Sequence, residues 1–473
     1  MKFILCPGKI EPLMSMKSVF SSLVLAYLRI LAKLQLKKNN PLIIGITGTA
    51  GKTSCRNAVA AVLKPHFQIK VSYKANSETG IPLNILGLTA KDYSWIDWLR
   101  LIVLAPVKLL INWKQFNIYV AEMAIDSPFP PKNMGYLLKI IQPQIGIFLN
   151  AKPMHSLEFD QLVSAADEQE RTKQITRLIA QEKGRLIAQL PKSGLAVLNQ
   201  DDINVYSAKN QTQAKVCTFG RAGNADIQIK QHQVSLSGTS FKFELAKRTG
   251  VENKQSVNQT EGVLNFEHYL LPTHYAYTFA AAAAVGLAQD LSLNQCLTAL
   301  QQNFELPPGR SSLIKGINDS FILDSSYNAS AQPVIDALEL INQIAPGRKL
   351  ALLGDIRELG QESKPEHEAT ARTAADICQL VVLVGPLMKQ HALPILQTAN
   401  TRVRWFERAD QAADFLKSQL QTDDLLLVKG SQNTLLLEIA VKELMAHPEK
   451  AEQLLCRRGK YWEQRRAKLL AAD

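Results

Sequence analysis

Apolar positions fall in short continuous runs, separated by longer stretches with helical spacing. Pro41–Thr47 (PLIIGIT) is such a run; a Gly-rich turn follows, and Thr53–Leu63 continues at helical spacing, which predicts strand–loop–helix. Asn117–Met123, Gln144–Leu149 and Leu195–Leu198 read as further buried strands, with a helical pattern over Asp160–Leu190. Runs that are apolar throughout, rather than alternating, belong to strands covered on both faces, so a parallel sheet under helices is expected. Residues 205–270 change character. The segments VCTFG, ADIQIK, VSLSG and SFKFEL alternate and predict a small β-rich excursion, with Gly250–Glu261 as its polar loop and Tyr275–Gln289 as an Ala-rich helix. Leu306-Pro307-Pro308-Gly309 marks a boundary. Beyond it, Phe321–Leu323, Lys349–Leu353, Leu380–Val384 and Leu425–Val428 predict a second, doubly wound, Rossmann-like α/β unit. The organisation expected is an N-terminal helical segment 1–40, a central domain 41–306 and a C-terminal domain 307–473 ending in a basic tail.

Two apolar stretches stand apart from the strands. Ser18–Leu36 is interrupted by Arg29 and Lys33 at helical spacing and reads as an amphipathic helix. Trp95–Trp113 (WIDWLRLIVLAPVKLLINW) has an apolar centre broken by Arg100, Pro106 and Lys108. It packs against Ser18–Leu36 to cap the central sheet, or it lies at a membrane interface. No apolar run reaches the roughly 20 residues that a bilayer requires, and Met1–Met16 lacks a secretory apolar core and cleavage site.

The chain has 473 residues, 46% hydrophobic and 20% charged, which excludes a disordered or fibrous class and suits about two to four domains. Six scattered cysteines with no CxxC pair argue against a zinc ribbon or disulfide framework and fit a reducing cytoplasm. The net charge of +12 suits nucleic acid, anionic lipid or phosphorylated small molecules. Much of the excess lies near the ends, at Lys33, Lys37 and Lys38 and from Arg457 to Lys468, and reads as solvated surface. With no zinc-finger or RNA-binding signature, a nucleic-acid partner is not expected.

The strongest local chemistry is Thr47-Gly48-Thr49-Ala50-Gly51-Lys52-Thr53-Ser54, between a strand and a helix. Backbone N–H groups of such a turn cradle phosphates at a helix N-terminus; Lys52 would reach the terminal phosphates and the Thr53 hydroxyl would ligate Mg²⁺. The usual eight-residue spacing requires Gly at position 46, where this chain has Ile46, so the loop is a compact variant of a P-loop ATPase-type turn.

That TGTxGKT run resembles the Mur ligase family, and further matches follow in order. They are Asn76–Leu83 (NSETGIPL), Glu122 at a strand end, Asn150–His155 (NAKPMH), Asp324–Ala329 (DSSYNA), Leu353–Gly360 (LGDIRELG) with His367 downstream, and Lys429-Gly430-Ser431. The last three are similar to the branch that adds D-alanyl-D-alanine. The resemblance implies an ATP-dependent amide ligase of peptidoglycan precursor synthesis. It would join a UDP-N-acetylmuramoyl-tripeptide to D-alanyl-D-alanine through an acyl phosphate, with two Mg²⁺ ions. The metal ligands it implies are Thr53, Glu122, His155 and a carbamylated Lys183, with Lys173 as the competing lysine. Gly48 to Ser54, Asn150, Arg310 and Asp324 would hold ATP between the two domains, with Arg310 near the γ-phosphate and Asp324 on the ribose. Lys52, Lys183, His155 and Arg310 would carry catalysis, and Asn328, Asp355 and Lys429 would face substrate.

Some positions depart from the family pattern: Arg185 where relatives have Glu, Gln432 after the KGS run, and Thr278 where Asn is common. Only about 40 residues precede the P-loop, fewer than the family's N-terminal domain for the uridine-nucleotide sugar. A partner protein or a peripheral contact at the inner membrane face is therefore kept open, as are a lipid-linked muropeptide substrate and, in another class, a nucleotide-gated assembly protein.

Overall fold

The computed structural model describes residues 16–92, 94–112, 115–153, 157–165, 167–246, 260–344, 347–357, 359, 362–399, 401–430 and 433–471. The chain divides into two compact units. The first comprises residues up to 228 with 245–258 and 277–296; the second comprises 229–244, 259–276 and everything from 297 onward.

The first unit is built on a parallel sheet of β1 (Leu42–Thr47), β2 (Ile69–Val71), β3 (Ile118–Glu122), β4 (Ile145–Phe148), β5 (Leu195–Asn199) and β6 (Lys215–Gly220), in the order β2-β3-β1-β4-β5-β6. β1, β3, β4 and β5 are buried along almost their whole length, as their unbroken apolar runs require. From β1 the chain passes through α2 (Lys52–Leu63) to one side of the sheet; β4 lies on the other side. This reversal creates a crevice beyond the carboxyl ends of the strands, where doubly wound folds bind ligands. VCTFG, expected in the β-rich excursion, is β6 and pairs parallel with β5 through Val197↔Cys217. Its last four residues are buried, so it continues the covered sheet instead of leaving it.

α1 (Met16–Asn39), α3 (Gly80–Leu86) and α4 (Trp95–Ile111) share a small core of Val24, Leu28, Leu83, Leu86, Leu101 and Ala105. The packing of Ser18–Leu36 against the Trp95 stretch is thus present; Trp113 lies outside the described residues. Pro106 sits inside α4 and has no N–H to offer the Ile102 carbonyl one turn back. The Tyr27 hydroxyl on α1 donates to that carbonyl instead, at 3.0 Å.

The helix expected over Asp160–Leu190 is shorter. A helical turn covers Leu157–Asp160, the described residues 161–165 and 167 are not helical, and α5 runs over Glu168–Ala188. Asp167 sets its start, because its carboxylate accepts the Glu170 N–H at 2.8 Å. The Ala-rich helix is α6 (His274–Leu287). β7 (Ile227–Ser235) begins beside β6 and continues into the second unit.

In the second unit, β8 (Gly238–Leu245) pairs antiparallel with β9 (Glu261–Phe266). Residues 247–259, which take in most of the polar loop expected over Gly250–Glu261, lie outside the described residues. The main sheet comprises β10 (Ser312–Lys315), β11 (Phe321–Ser325), β12 (Lys349–Gly354), β13 (Leu380–Val384), β14 (Arg402–Phe406) and β15 (Leu425–Lys429), in the order β10-β11-β15-β12-β13-β14. All pairs are parallel except β10 with β11. Alternate residues of β12 enter two cores: Ala351 and Leu353 on one face, Leu350 and Leu352 on the other. Helices α7 (Ala331–Asn342) and α8 (Ser363–Ile377) cover the first of these faces.

Candidate active site

β1 ends at Thr47, and the chain turns through Gly48–Gly51 directly into α2. Gly51 has φ 81°, a left-handed conformation that a side chain disfavours, which explains glycine before Lys52. Asn150, just past β4, stitches the loop: its Oδ1 accepts the Ala50 N–H at 2.9 Å and its Nδ2 donates to the Ala50 carbonyl at 3.1 Å. The Thr49 N–H donates to the Asn150 carbonyl at 3.0 Å. Lys52 folds back over the turn, donating to the carbonyls of Gly48 (2.8 Å) and Thr49 (2.9 Å). Burial lowers its pKa below the usual lysine value, against the pull of Glu122 and Asp126. Ser54 is half-buried in the first turn of α2. Thr278 of α6 reaches the same loop, its Oγ1 4.0 Å from where a Gly51 Cβ would stand.

The register Ile46↔Glu122 sets Glu122 beside the carboxyl end of β1. Glu122 is buried, and its Oε2 accepts the Thr53 hydroxyl at 2.9 Å. Asn76 Nδ2 donates to Oε1 at 3.3 Å. Arg56, one helical turn beyond Thr53, forms a buried ion pair with Oε2 at 3.3 Å and donates to the Ser72 carbonyl at 3.0 Å. Arg56 was not singled out from the sequence, and Asn76 entered only as the first residue of the NSETGIPL segment, with no role assigned. Arg56 lies three residues after Thr53 and hence on the same helical face, which is the signal that could have found it.

A cavity of about 200 Å³ opens on this cluster, lined by Thr49, Lys52, Asn76, Glu122, Asp126 and Lys183 among others. Lys183 is only 4% exposed. Its pKa is pushed down to about 7, first by burial and then by the charge of Lys52, with Asp126 and Glu182 opposing. Lys173 is exposed and does not line the cavity. Arg185 pairs with Glu182 at 3.0 Å, and Glu182 accepts the Met134 N–H at 2.9 Å. His155 lies outside the described residues. Among the described residues no group of three His, Cys, Asp or Glu side chains converges. Two hard oxygen donors 2.9 Å apart, Thr53 Oγ1 and Glu122 Oε2, suit Mg²⁺, which takes few protein ligands beside substrate phosphates.

The second unit gathers the other candidates at the carboxyl ends of β11, β15 and β12. The registers Asp324↔Val428, Ser325↔Lys429 and Leu353↔Lys429 set these ends side by side. Asp324 is fully buried; Oδ1 accepts the Ser326 N–H at 3.0 Å and Oδ2 has no hydrogen-bond partner. Burial raises its pKa, against Ser326, Arg457 and Lys429. Lys429 donates to the Asn328 carbonyl at 3.1 Å, and its pKa is pushed down to about 8 by burial and by Arg310. Asn328 is exposed. Arg310 is exposed and stacks on Tyr327, 4.8 Å from the ring centre. Gly309 before it has φ 76° and accepts the Tyr327 N–H at 3.1 Å.

Asp355 accepts the Met388 N–H at 2.9 Å, and burial raises its pKa. His367 pins the adjacent Ile356: Nε2 accepts the Ile356 N–H at 3.1 Å and Nδ1–H donates to the Ser363 carbonyl at 2.6 Å. Glu358, Gly360, Ser431 and Gln432 lie outside the described residues.

Arg457 corrects the reading of the basic tail as solvated surface. It is buried and donates to Glu438 (2.9 Å) and to the carbonyls of Ser326 (3.3 Å) and Tyr327 (2.7 Å), which holds the loop after Asp324.

Residues 46–286 match the Mur ligase middle domain, and residues 309–432 match the Mur ligase glutamate ligase domain. The chain belongs to the Mur ligase family. It is accordingly an ATP-dependent ligase that forms amide bonds. Among curated Mur ligases, it is 27% identical over 436 residues to UDP-N-acetylmuramoyl-tripeptide–D-alanyl-D-alanine ligase of Mycobacterium tuberculosis, spanning 86% of this chain and 74% of that one. The enzyme of that name from Escherichia coli is 25% identical over 409 residues, 84% and 75% of the two chains. Among solved structures, MurF from Acinetobacter baumannii aligns with a TM-score of 0.66 at 19% identity, over 89% of this chain and 80% of that one. MurF from Thermotoga maritima in complex with ADP gives 0.64 at 21%, over 90% and 84%. These structures share the Mur ligase fold with this chain.

Proposed function

We propose that this chain joins D-alanyl-D-alanine to the free carboxylate of a UDP-N-acetylmuramoyl-tripeptide, and that the cavity at the P-loop is where the carboxylate is activated. The convergence of Lys52, Glu122 and Lys183 on one 200 Å³ cavity, with the Thr53 hydroxyl hydrogen-bonded to Glu122, carries the reading. The peptide carboxylate attacks the γ-phosphorus, the bond to the β-phosphate oxygen breaks and ADP leaves. The dipeptide amine then attacks the acyl carbon, and phosphate departs as the amide forms. Such transfers rest on positioning and on neutralising phosphate charge. The P-loop N–H groups and Lys52 supply donors to the phosphates. Thr53 and Glu122 would hold Mg²⁺, with His155 assigned to a second ion; the bound metal would offset negative charge on the phosphates.

Lys183 fits carbamylation. Its pKa near 7 leaves much of the amine neutral and able to add to carbon dioxide, forming an N–C bond and releasing one proton. The product is an anion facing the cavity where a cation stood. In the second unit, Arg310 and Asp324 are assigned to the nucleotide, and Asn328, Asp355 and Lys429 to the incoming amine. The names of the curated relatives support the D-alanyl-D-alanine assignment. A lipid-linked muropeptide is the second reading, favoured by the exposed apolar face of α4. A nucleotide-gated assembly protein has no use for a lysine buried with a depressed pKa.

The test measures phosphate release from ATP with UDP-linked and lipid-linked muropeptides, each with and without D-alanyl-D-alanine. Release that requires both the UDP-tripeptide and the dipeptide, and that falls about 100-fold or more in Lys52→Ala, is expected. Release that requires the lipid-linked substrate selects the second reading, and release without a dipeptide requirement refutes the amine assignment.

A further inference from the structure

The outer face of α4 is apolar at every exposed position. Ile96, Leu99, Val103, Val107 and Leu110 recur at intervals of three and four residues, one stripe along the whole helix. Trp95 at its start is 72% exposed, Val103 at its middle 64% and Leu110 near its end 70%. α1 packs alongside, joined by the Tyr27–Ile102 bond and by Lys38, whose ammonium donates to the Leu109 and Asn112 carbonyls at 3.3 Å each. α1 adds exposed Leu23, Ile30 and Leu34, with exposed Lys33, Lys37 and Lys38 among them.

Neither helix presents an exposed acidic side chain. α1 contains no Asp or Glu, and the one acid of α4, Asp97, is buried against Arg100 at 2.6 Å. Seventeen residues at 1.5 Å each give α4 a length of about 25 Å, short of a hydrocarbon core of about 30 Å. No helix among the described residues is long and apolar enough to cross a membrane.

We propose that the face formed by α1 and α4 docks on an anionic phospholipid surface, with α4 lying in the plane of the interface. An apolar stripe beside lysines has the composition of an in-plane helix: apolar burial supplies affinity and the cations select anionic headgroups. Lys38 and Tyr27 also satisfy the carbonyls freed at the end of α4 and at Pro106, so the helix brings fewer unpaired polar groups to lipid. Self-association would bring two cationic faces together, which charge disfavours. The proposal is independent of the substrate assigned above.

The test sediments the full chain with vesicles of phosphatidylcholine alone, or mixed with phosphatidylglycerol. Binding to the mixed vesicles is expected, weakened by salt. Val103→Glu should weaken it roughly tenfold or more, and Lys33→Glu with Lys37→Glu should weaken it as well. All three side chains point outward, so thermal melting and phosphate release should match wild type. Absence of sedimentation overturns the proposal. Equal binding to neutral vesicles overturns the commitment to anionic lipid. A concentration-dependent dimer that Val103→Glu abolishes, without vesicle binding, reassigns the face to a second copy of the chain.

Discussion

Replacing Lys429 with methionine separates what this residue does for stability from what it does for chemistry. Burial, together with the charge of Arg310, brings its pKa from the usual 10.5 down to about 8, despite Asp324 and Asp336. Keeping the ammonium charged in the folded chain therefore costs about 3 kcal/mol at neutral pH. Methionine keeps most of the stem and removes the charge. It also removes the bond to the Asn328 carbonyl, worth about 1 kcal/mol. The expected net gain is about 2 kcal/mol, or roughly 4–8 °C in the melting of a unit of this size. The sign in pH follows from the direction of the shift. Between pH 8 and 10.5 the unfolded chain holds a proton that the folded chain has lost, so wild type gains stability across that window. The advantage of Lys429→Met is therefore full below pH 8 and gone by about pH 10.5. Calorimetric melts at neutral and alkaline pH, paired with phosphate-release assays, measure both sides. A more stable and much less active variant is expected. A variant destabilised equally at both pH values would refute the reasoning and make the ammonium a structural staple.

Lys183→Ala should lose about 100-fold or more in ligation and recover part of it with acetate, which restores an anion to the cavity; ¹³C-bicarbonate NMR of active wild type without a carbamate resonance would remove the modification. Tyr27→Phe should cost about 1 kcal/mol by orphaning the Ile102 carbonyl. Pro106→Ala restores a helical donor to that carbonyl, so the tyrosine change should cost little in its background, and additive melting shifts would show that the two groups are uncoupled.

The central strands were legible because burial on both faces leaves unbroken apolar runs, whereas Glu122 was reached through the family resemblance, which implies a metal-binding glutamate at a strand end. Edge strands were not. β14 reads RVRWF, with arginines facing solvent at an edge, and β10 is four residues long. The start of α5 was misplaced because the periodicity around Asp160 continues past the point where Asp167 takes a backbone N–H. The buried arginines were the largest gap. Arg56 and Arg457 look like surface charge, because a sequence does not show which carboxylate will close on a guanidinium. Glu122 is 66 positions from Arg56, and Glu438 is 19 from Arg457. What decides their burial is long-range pairing, which local pattern does not encode.

The polar groups in the two clusters act in opposite senses on stability. Lys183 and Lys429 are held at depressed pKa, and Asp324 Oδ2 and Glu438 Oε1 are buried without a partner. Each such group costs free energy that the apolar cores must offset. Arg56 and Arg457 do the reverse: each neutralises a buried carboxylate, and removing one leaves a charge uncompensated, at about 3–5 kcal/mol. Inactivating substitutions should therefore divide by the sign of their stability change. Removing a buried lysine that the chemistry needs, Lys183 or Lys429, stabilises the fold, whereas removing either partner of a buried ion pair, Glu122 as well as Arg56, destabilises it. That sign distinguishes a group held at a cost for chemistry from one whose charge is compensated in the fold, which a loss of activity alone does not.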